Sequence, residues 1–542
     1  MRISSNMIFD QSVRTMNQQT SDLLHTQQQI STGRRILTPS DDPVAAAQAL
    51  QVTQAQDIST QYTTNQSNAQ SSLGLESSQL TSVSDILNQV RTLAVQGANS
   101  TLSNSDRASI ATQMTADFNE LVGIANATDG NGQYLFSGYQ GSTKPFSATV
   151  GGNPVSSYAG DSGQRLLQVA ASRQIPVSDS GNAVFNDIKS GNGLFTTNYA
   201  AGNTGSGVID SGSINDPSKW NSASNSGQYQ IKFAGISAAT GSVAVPSGGV
   251  TGIAAGNDQF TLSVDGGTAK IITIPTPTTA GTFDPATDLA ALQTNIDTAL
   301  GAGVATVSVD ASNHLVVTAA GSTTGTGVAV GAISGDTGMA SLFGTPTTTA
   351  PSTKYDIVDT STGNSVFTGA ASKAGSYTHT YTAGQPIPLF QYTGGASVDL
   401  GASVTITGAP ANGDVFNVAA SKNQDVFTTL SNLITALQTG NTNTPAGAAK
   451  FATDMGSALT NIDQASQNIL TVRASVGSRL NEITALGSSN STTNLQLSQT
   501  LSTLQDVDMA KAISDLTQQQ TGLQAAQQSF AKVSQLSLFS YL

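Results

Sequence analysis

The chain has 542 residues, of which 38% are hydrophobic and only 10% charged, a net charge of −13 and no cysteine. The apolar share allows packed cores and excludes wholesale disorder, and the acidity excludes a nucleic-acid partner, since no Lys/Arg run exceeds Arg34-Arg35. Disulfide frameworks, thiol catalysis and cysteine-held metals are excluded outright, while Ser, Thr, Asn, Gln and Gly replace charge on a surface suited to packing against copies of itself.

The chain changes character twice. Residues 1–122 hold three glycines (Gly33, Gly74, Gly97), whereas 150–450 is dense in Gly, Thr and Ser, and every arginine lies in 2–173 or 473–479. This predicts an α+β multidomain chain in which long terminal helices form coiled-coil and helical-bundle core domains around an inserted β-rich outer region. Near the N-terminus Val13, Met16, Leu23 and Ile30 fall on one stripe, with Thr20 and Gln27 at intervening seam positions. Ile3 and Met7 extend the apolar set. In Thr38-Pro39-Ser40-Asp41-Asp42-Pro43 the residue before each proline is pushed out of the helical region. Asp42 caps the next helix, Pro43 opens it, and Asp41 lies near its positive dipole end. That helix is expected from 43 to about 98, roughly 80 Å at 1.5 Å per residue. It carries Leu73, Leu80, Val83, Leu87 and Val90 on one side.

A third helix starts at Ser105-Asp106 with Ile110, Met114, Leu121 and Ala125. It ends before the Asp129-Gly130-Asn131-Gly132 turn, which leads into a strand at Tyr134-Leu135-Phe136. In the middle, short apolar runs alternate with turns at 228–233, 259–264, 270–274, 304–309, 314–318, 355–359 and 403–418. One helical pattern covers 288–300. A β-β-α-β-β module at about 248–350 is expected, inserted into a sheet built from 227–234 and 351–420. The returning helices bear Met455, Leu459, Ile462, Ile469, Val476, Leu480 and Ile483. A last stripe follows at Met509, Ile513, Leu516, Leu523, Phe530 and Val533, with Gln520 and Gln527 between. The expected domains are a terminal coiled coil (1–42 with 500–542) and a helical rod (43–180 with 425–499) carrying a β-hairpin near 130–150. A β-rich outer domain spans 181–424.

Chemistry has no visible constellation. His25, His314 and His379 are scattered, and none opens an H-E-x-x-H helix. The glycines at 325, 327 and 331 lack fingerprint spacing, no G-x-S-x-G elbow occurs, and Asp41-Asp42 reads as a helix cap. Trp220 and Tyr229 read as core residues. No catalytic, cofactor-binding or metal site is expected. No stretch approaches 18 apolar residues, and residues 1–20 lack a secretory apolar region. The acidity argues against docking on anionic lipid. The stripe of 73–94 with that of 455–483 reads as intramolecular core. The outermost stripes are short, lean and terminal, and are expected to order only when neighbouring subunits bury them.

Both ends resemble those of flagellins and their relatives, in Arg91-Thr-Leu-Ala-Val-Gln-Gly-Ala-Asn-Ser-Thr101 and in Val472-Arg-Ala-Ser-Val-Gly-Ser-Arg-Leu-Asn481. MRISSNMIFDQSV at the start, LLHTQQQISTGRRILTPSDDPVAAAQAL from Leu23, DGNGQYLFSGYQGSTKPF from Asp129 and the closing AKAISDLTQQQTGLQAAQQSFAKVSQLSLFSYL resemble the third hook-associated protein subfamily. The likeness is strong over 1–150 and 425–542 and looser over 248–330 and 351–420. It implies a non-enzymatic, cofactor-free component of an extracellular bacterial flagellum at the hook–filament junction. The implied partners are the first hook-associated protein, flagellin, a ring of sister copies and a flagellar export chaperone, with export through the flagellar type III apparatus. The assembly interface it implies comprises Ile3, Met7, Val13, Met16, Leu23, Ile30, Met509, Ile513, Leu516, Leu523, Phe530 and Val533. Flagellin itself is the alternative within the structural class, and a secreted adhesin the alternative outside it.

Overall fold

The computed structural model describes residues 5–222, 225–275, 281–320 and 327–535. Nine helices lie among them in chain order: α1 (Ser5–Thr32), α2 (Pro43–Gly97), α3 (Asn104–Ala125), α4 (Pro217–Trp220), α5 (Pro285–Leu300), α6 (Gly338–Phe343), α7 (Val426–Thr439), α8 (Pro445–Gln505) and α9 (Met509–Gln535). The α+β class therefore holds, with helical ends and a β-rich middle. Two compact units result. One gathers Met1–Leu75, Arg165–Val177 and Ser475–Leu542, and the other Glu76–Gln164 and Ser178–Ala474.

In the first unit α2 begins at Pro43, and Asp42 Oδ1 accepts the Ala45 N–H at 3.0 Å, the expected cap. The Asp41 carboxylate, one residue before that cap, turns back to accept the N–H groups of Leu37 and Thr38, both at 2.8 Å. Apolar residues thin out between 50 and 66, so hydrogen bonds join α2 to α8 there. Ser59 Oγ donates to Asn490 Oδ1 at 2.7 Å, and Asn490 Nδ2 donates to the Ser59 carbonyl and Thr63 Oγ1. A hairpin of Leu166–Ala170 with Arg173–Pro176 belongs to this unit. Gln66 Nε2 donates to the Val169 carbonyl at 2.8 Å, and the Arg173 guanidinium forks onto both carboxylate oxygens of Glu482.

In the second unit Leu80, Val83, Leu87 and Val90 of α2 and Met455, Ile462 and Ile469 of α8 are buried as expected. Arg91 Nε reaches Asp463 Oδ1 at 2.8 Å between these helices. The α3 helix starts one residue before the expected Ser105, because Ser103 and Asp106 form a reciprocal capping box. Its buried face (Ile110, Met114, Phe118, Leu121) meets α7, where Phe118 and Phe427 stand edge to face at 6.1 Å. The turn after α3 forms where predicted, with Asp129 Oδ1 accepting the N–H groups of Asn131 and Gln133 and Gly132 at φ +79°. Tyr134–Phe136 is not a strand. Only Thr128 bridges Tyr134, and the paired hairpin is Phe146–Ala148 with Ser156–Tyr158. Leu135 and Phe136 are instead buried, Phe136 edge to face against Phe185 at 5.2 Å.

The β-rich middle is organised by a single 17-residue strand, Gln228–Ala244. Its first half pairs with Ser352–Asp359 and Val415–Ala420, and its second half with His314–Ala320. The expected β-β-α-β-β succession is present (Gln259–Val264, Lys270–Thr273, Pro285–Leu300, Ala305–Val309, His314–Ala320), but the sheet strand expected to end at 234 runs on to Ala244 and pairs with its last strand. The strand continues through Ala234-Gly-Ile-Ser-Ala-Ala-Thr-Gly-Ser, where small side chains hide the alternation. Gln259–Val264, Lys270–Thr273 and Val328–Gly331 form their own three-stranded sheet, while Ala305–Val309 joins the large one. Two cores follow. One holds Phe260, Leu262, Phe283, Leu292, Leu315 and Phe343, and the other Phe195, Trp220, Ile231, Phe233, Leu389 and Phe416. Trp220 packs against Phe195 in a tilted pair at 4.8 Å and is buried, so the single tryptophan is core.

Asp356, opposite Lys232 in the large sheet, is fully buried. Ser365 Oγ donates to one carboxylate oxygen at 2.6 Å and Ser372 Oγ to the other. Burial nevertheless holds this carboxyl above its ordinary range. The folded form thus binds the proton more tightly than the unfolded chain, and ionisation costs stability above the folded pKa. That cost disappears as pH falls through it. Asp356→Asn lacks the cost, so its melting temperature relative to wild type should be highest near neutral pH and decline in acid. Calorimetric melts of both proteins across pH check this.

Candidate assembly interface

Helix α9 returns antiparallel along α1. Phe9 meets Phe530 at one end, with ring centroids 5.1 Å apart, and the Val507 N–H donates to the Gly33 carbonyl at the other, at 3.0 Å. This register places Leu23 level with Leu516. On α1 the inward positions are Ser12, Met16, Gln19, Leu23, Thr26 and Ile30, and on α9 Ala512, Leu516, Gln519, Leu523, Ala526 and Phe530. Both rows step by four and three, as a coiled-coil seam requires.

The observed seam shares Met16, Leu23, Ile30, Leu516, Leu523 and Phe530 with the predicted one, leaves out Val13, Met509 and Ile513, and differs at the positions between. Thr20 and Gln27 are exposed, and Gln19 and Thr26 take their places. Gln520 and Gln527 are exposed as well, and Gln519 and Ala526 replace them. A stripe set by Leu516, Leu523 and Phe530 leaves open whether the alternate position lies three or four residues on. Alanines settle it by permitting closer approach of the backbones. Ala512 is 5% exposed while its neighbour Ile513 is 52% exposed, with Met509 at 45%. At the other end Met7 is 62% exposed, and Phe9, absent from the predicted set, 51%. Val13, Met16, Leu23, Ile30, Leu516, Leu523 and Phe530 are half-buried. Ile3 and the Val533 side chain lie outside the described residues.

The seam is lean. Gln19 Oε1 and Gln519 Oε1 are buried in it with no hydrogen-bond partner among the described residues. Each such orphan costs about 1–3 kcal/mol. Apolar side chains remain exposed along the pair: Met7, Phe9 and Leu24 on α1, and Met509 and Ile513 on α9. Leaving a side chain such as Ile513 half in water forgoes on the order of 1 kcal/mol.

The stretch where α1 turns into α2 and α8 into α9 is tightly bonded. His25 Nε2 lies 3.2 Å from Asp41 Oδ1. The Thr38 N–H, with help from the Leu37 N–H and His25, holds the Asp41 carboxyl below its ordinary value. The Ala45 N–H, followed by Arg35, does the same for Asp42. Their contribution to stability is present above the ordinary carboxylate range and is lost as pH falls through the lowered values.

Among the described residues no group of three or more His, Cys, Asp or Glu could hold a metal, and no helix is long and apolar enough to cross a membrane. His379 stacks on Phe367 at 4.1 Å, and burial lowers its pKa. His314 faces Asp310 at 3.2 Å across a turn. The expected glycine stretch begins outside the described residues and ends in the strand Val328–Gly331.

Comparison with known proteins gives this geometry a class. Residues 3–141 match the bacterial flagellin N-terminal helical region, and residues 459–542 the bacterial flagellin C-terminal helical region. The two matched helical regions lie at the ends of the chain, on either side of the β-rich middle. The chain is similar to flagellar hook-associated protein 3 of Escherichia coli K12, at 37% identity over 190 residues. That match covers 35% of this chain, which thus spans 58% of the relative's length. A flagellin of Clostridium tyrobutyricum is 28% identical over 138 residues, 26% of this chain and 37% of the relative. The fold is that of the flagellar hook-associated protein 3 crystal structure from Legionella pneumophila, with TM-score 0.55 and 21% identity, covering 84% of this chain and 98% of that one.

The two amide oxygens left without a partner among the described residues predict a direction for mutation. Gln19→Leu with Gln519→Leu should tighten the α1–α9 pair by about 2–6 kcal/mol. Leu523→Asp should part the two helices. Hydrogen exchange of α1 and α9 amides in the free protein checks both, slowing in the first variant and accelerating in the second.

Proposed function

We propose that this chain is a non-catalytic structural part of the bacterial flagellum, an adaptor at the hook–filament junction that joins the first hook-associated protein to the flagellin filament. The observation that carries the proposal is the match to hook-associated protein 3, longer and closer than the match to flagellin. The exposed apolar residues of the α1–α9 pair support it. A ring of sister copies would cover Met7, Phe9, Leu24, Met509 and Ile513, which the single chain leaves in water. Burial summed over a ring gives the arms a stability that a lean, glutamine-bearing pair lacks alone. The terminal coiled coil of 1–42 with 500–542 is the proposed assembly core. Export through the flagellar apparatus to an extracellular position, with a chaperone holding the chain beforehand, completes the reading.

The second reading, a filament subunit, is favoured by the flagellin helical regions at both ends. Copy number separates the two, since an adaptor is present in a handful of copies per filament and flagellin in great excess. A strain lacking the chain should release flagellin monomers into the medium and lose swimming. Ile513→Asp, at a position exposed in the single chain, should leave the melting temperature of the purified protein within a few degrees of wild type while abolishing junction assembly and motility. Wild-type swimming by that variant would overturn the interface. Intact filaments in the deletion strain would overturn the adaptor.

A further inference from the structure

The two crossings between helices in the first unit are bonded to each other. Gly33, at φ +71°, turns the chain off α1, and the next residues run antiparallel to the α8–α9 crossing, with Arg34 bridging Asp506. The Arg35 N–H donates to the Gln505 carbonyl at 2.6 Å, and the Val507 N–H to that of Gly33 at 3.0 Å. The Arg35 side chain crosses the same point. Nη1 donates to Asp42 Oδ2 at 3.2 Å, and Nη2 to the Leu504 carbonyl at 2.8 Å. Gln29 Nε2 donates to the Arg35 carbonyl at 2.6 Å. One residue therefore binds the last turn of α1, the cap of α2 and the last carbonyls of α8, which have no acceptor role left inside their helix. Asp508 Oδ1 caps α9 through the N–H groups of Ala510 and Lys511 immediately after.

We propose that residues 33–42 and 504–508 are a latch, pinned by the Arg35 guanidinium, that fixes the direction of the α1–α9 pair against α2 and α8 and makes both terminal helices turn as one body. Two loose connections would let each helix swing separately, since every exposed linker residue samples many backbone states. Cross-bonding the connections removes that freedom from both at once. A lysine cannot replace the pin, because a single ammonium does not present a planar fork to two acceptors at Asp42 and Leu504. The latch does not depend on what the outer apolar face binds, so it stands or falls separately from the assembly reading.

The chain has no cysteine, so introduced pairs accept spin labels at those positions alone. Ser21 on α1, Gln524 on α9 and Gln54 on α2 are exposed. Pulsed electron–electron distances are measured in the full chain for Ser21→Cys with Gln54→Cys, and for Gln524→Cys with Gln54→Cys. Wild type should give one narrow distribution for each pair. Arg35→Ala should broaden both at least twofold and together, with far-UV dichroism unchanged, and Arg35→Lys should broaden both as well. Broad distributions in the wild type, narrow ones in Arg35→Ala, or broadening of one pair alone would each overturn the latch. Where Arg35→Ala loses helix content, Arg35→Lys decides by the same criterion.

Discussion

None of the long helices has enough apolar surface to stand alone, and each takes its partner from the far end of the chain. In the first unit α1 lies on α9, and the opening of α2 lies on the close of α8. In the second unit Arg91 meets Asp463 across 372 residues of sequence. Isolated helices gain little from propensity and are stabilised by burying a face. A chain whose N-terminal helices find their faces only in the C-terminal ones must therefore bring its ends together. The middle then has to leave and return at neighbouring points. That constraint explains why a β-rich region of more than two hundred residues sits between two helical halves without breaking them.

Polar groups, not apolar ones, set the register where the helices are leanest. Asn490 binds both Ser59 and Thr63, and Gln66 binds the Val169 carbonyl, contacts that a slip of one turn would break. Such bonds add little net stability, yet leaving them unmade is costly. Gln19 and Gln519 show the converse. Their buried, unmatched oxygens weaken the α1–α9 pair in the single chain. The unit thus has a firmly keyed stem and weakly held arms, both from neutral side chains that salt does not screen.

Much of this was legible in the sequence, for stated physical reasons. Pro43 and Asp42 fix the start of α2 through geometry that few residues supply, and Gln259–Val264 shows the alternation of a half-buried strand. What stayed hidden shares one cause: small or polar residues occupy structural positions without a hydrophobic signal. Ala512 and Ala526 carry the inner seam while Ile513 draws the eye. Ala234 to Ser242 continue a strand that looks finished. The hairpin at 166–176 joins the first unit through Gln66, Asn65 and Glu482, none of which announces a partner a hundred or more residues away.

The displaced seam bears on function more than a mere shift of phase would suggest. A two-helix pair with one apolar stripe buries its isoleucine and leaves its alanine out. Here Ala512 is inside and Ile513 outside, so α9 carries apolar residues on more of its circumference than one partner covers. The same holds on α1, where Leu23 faces inward and Leu24 outward. Helices apolar on two sides are stable in water only at a cost, and that cost is recovered when a second surface arrives. The proposed ring of sister chains supplies such a surface. In that setting the small inner residues have a purpose of their own. They leave the outer leucine, methionine and isoleucine side chains, distributed along the length of the pair, for other surfaces to cover.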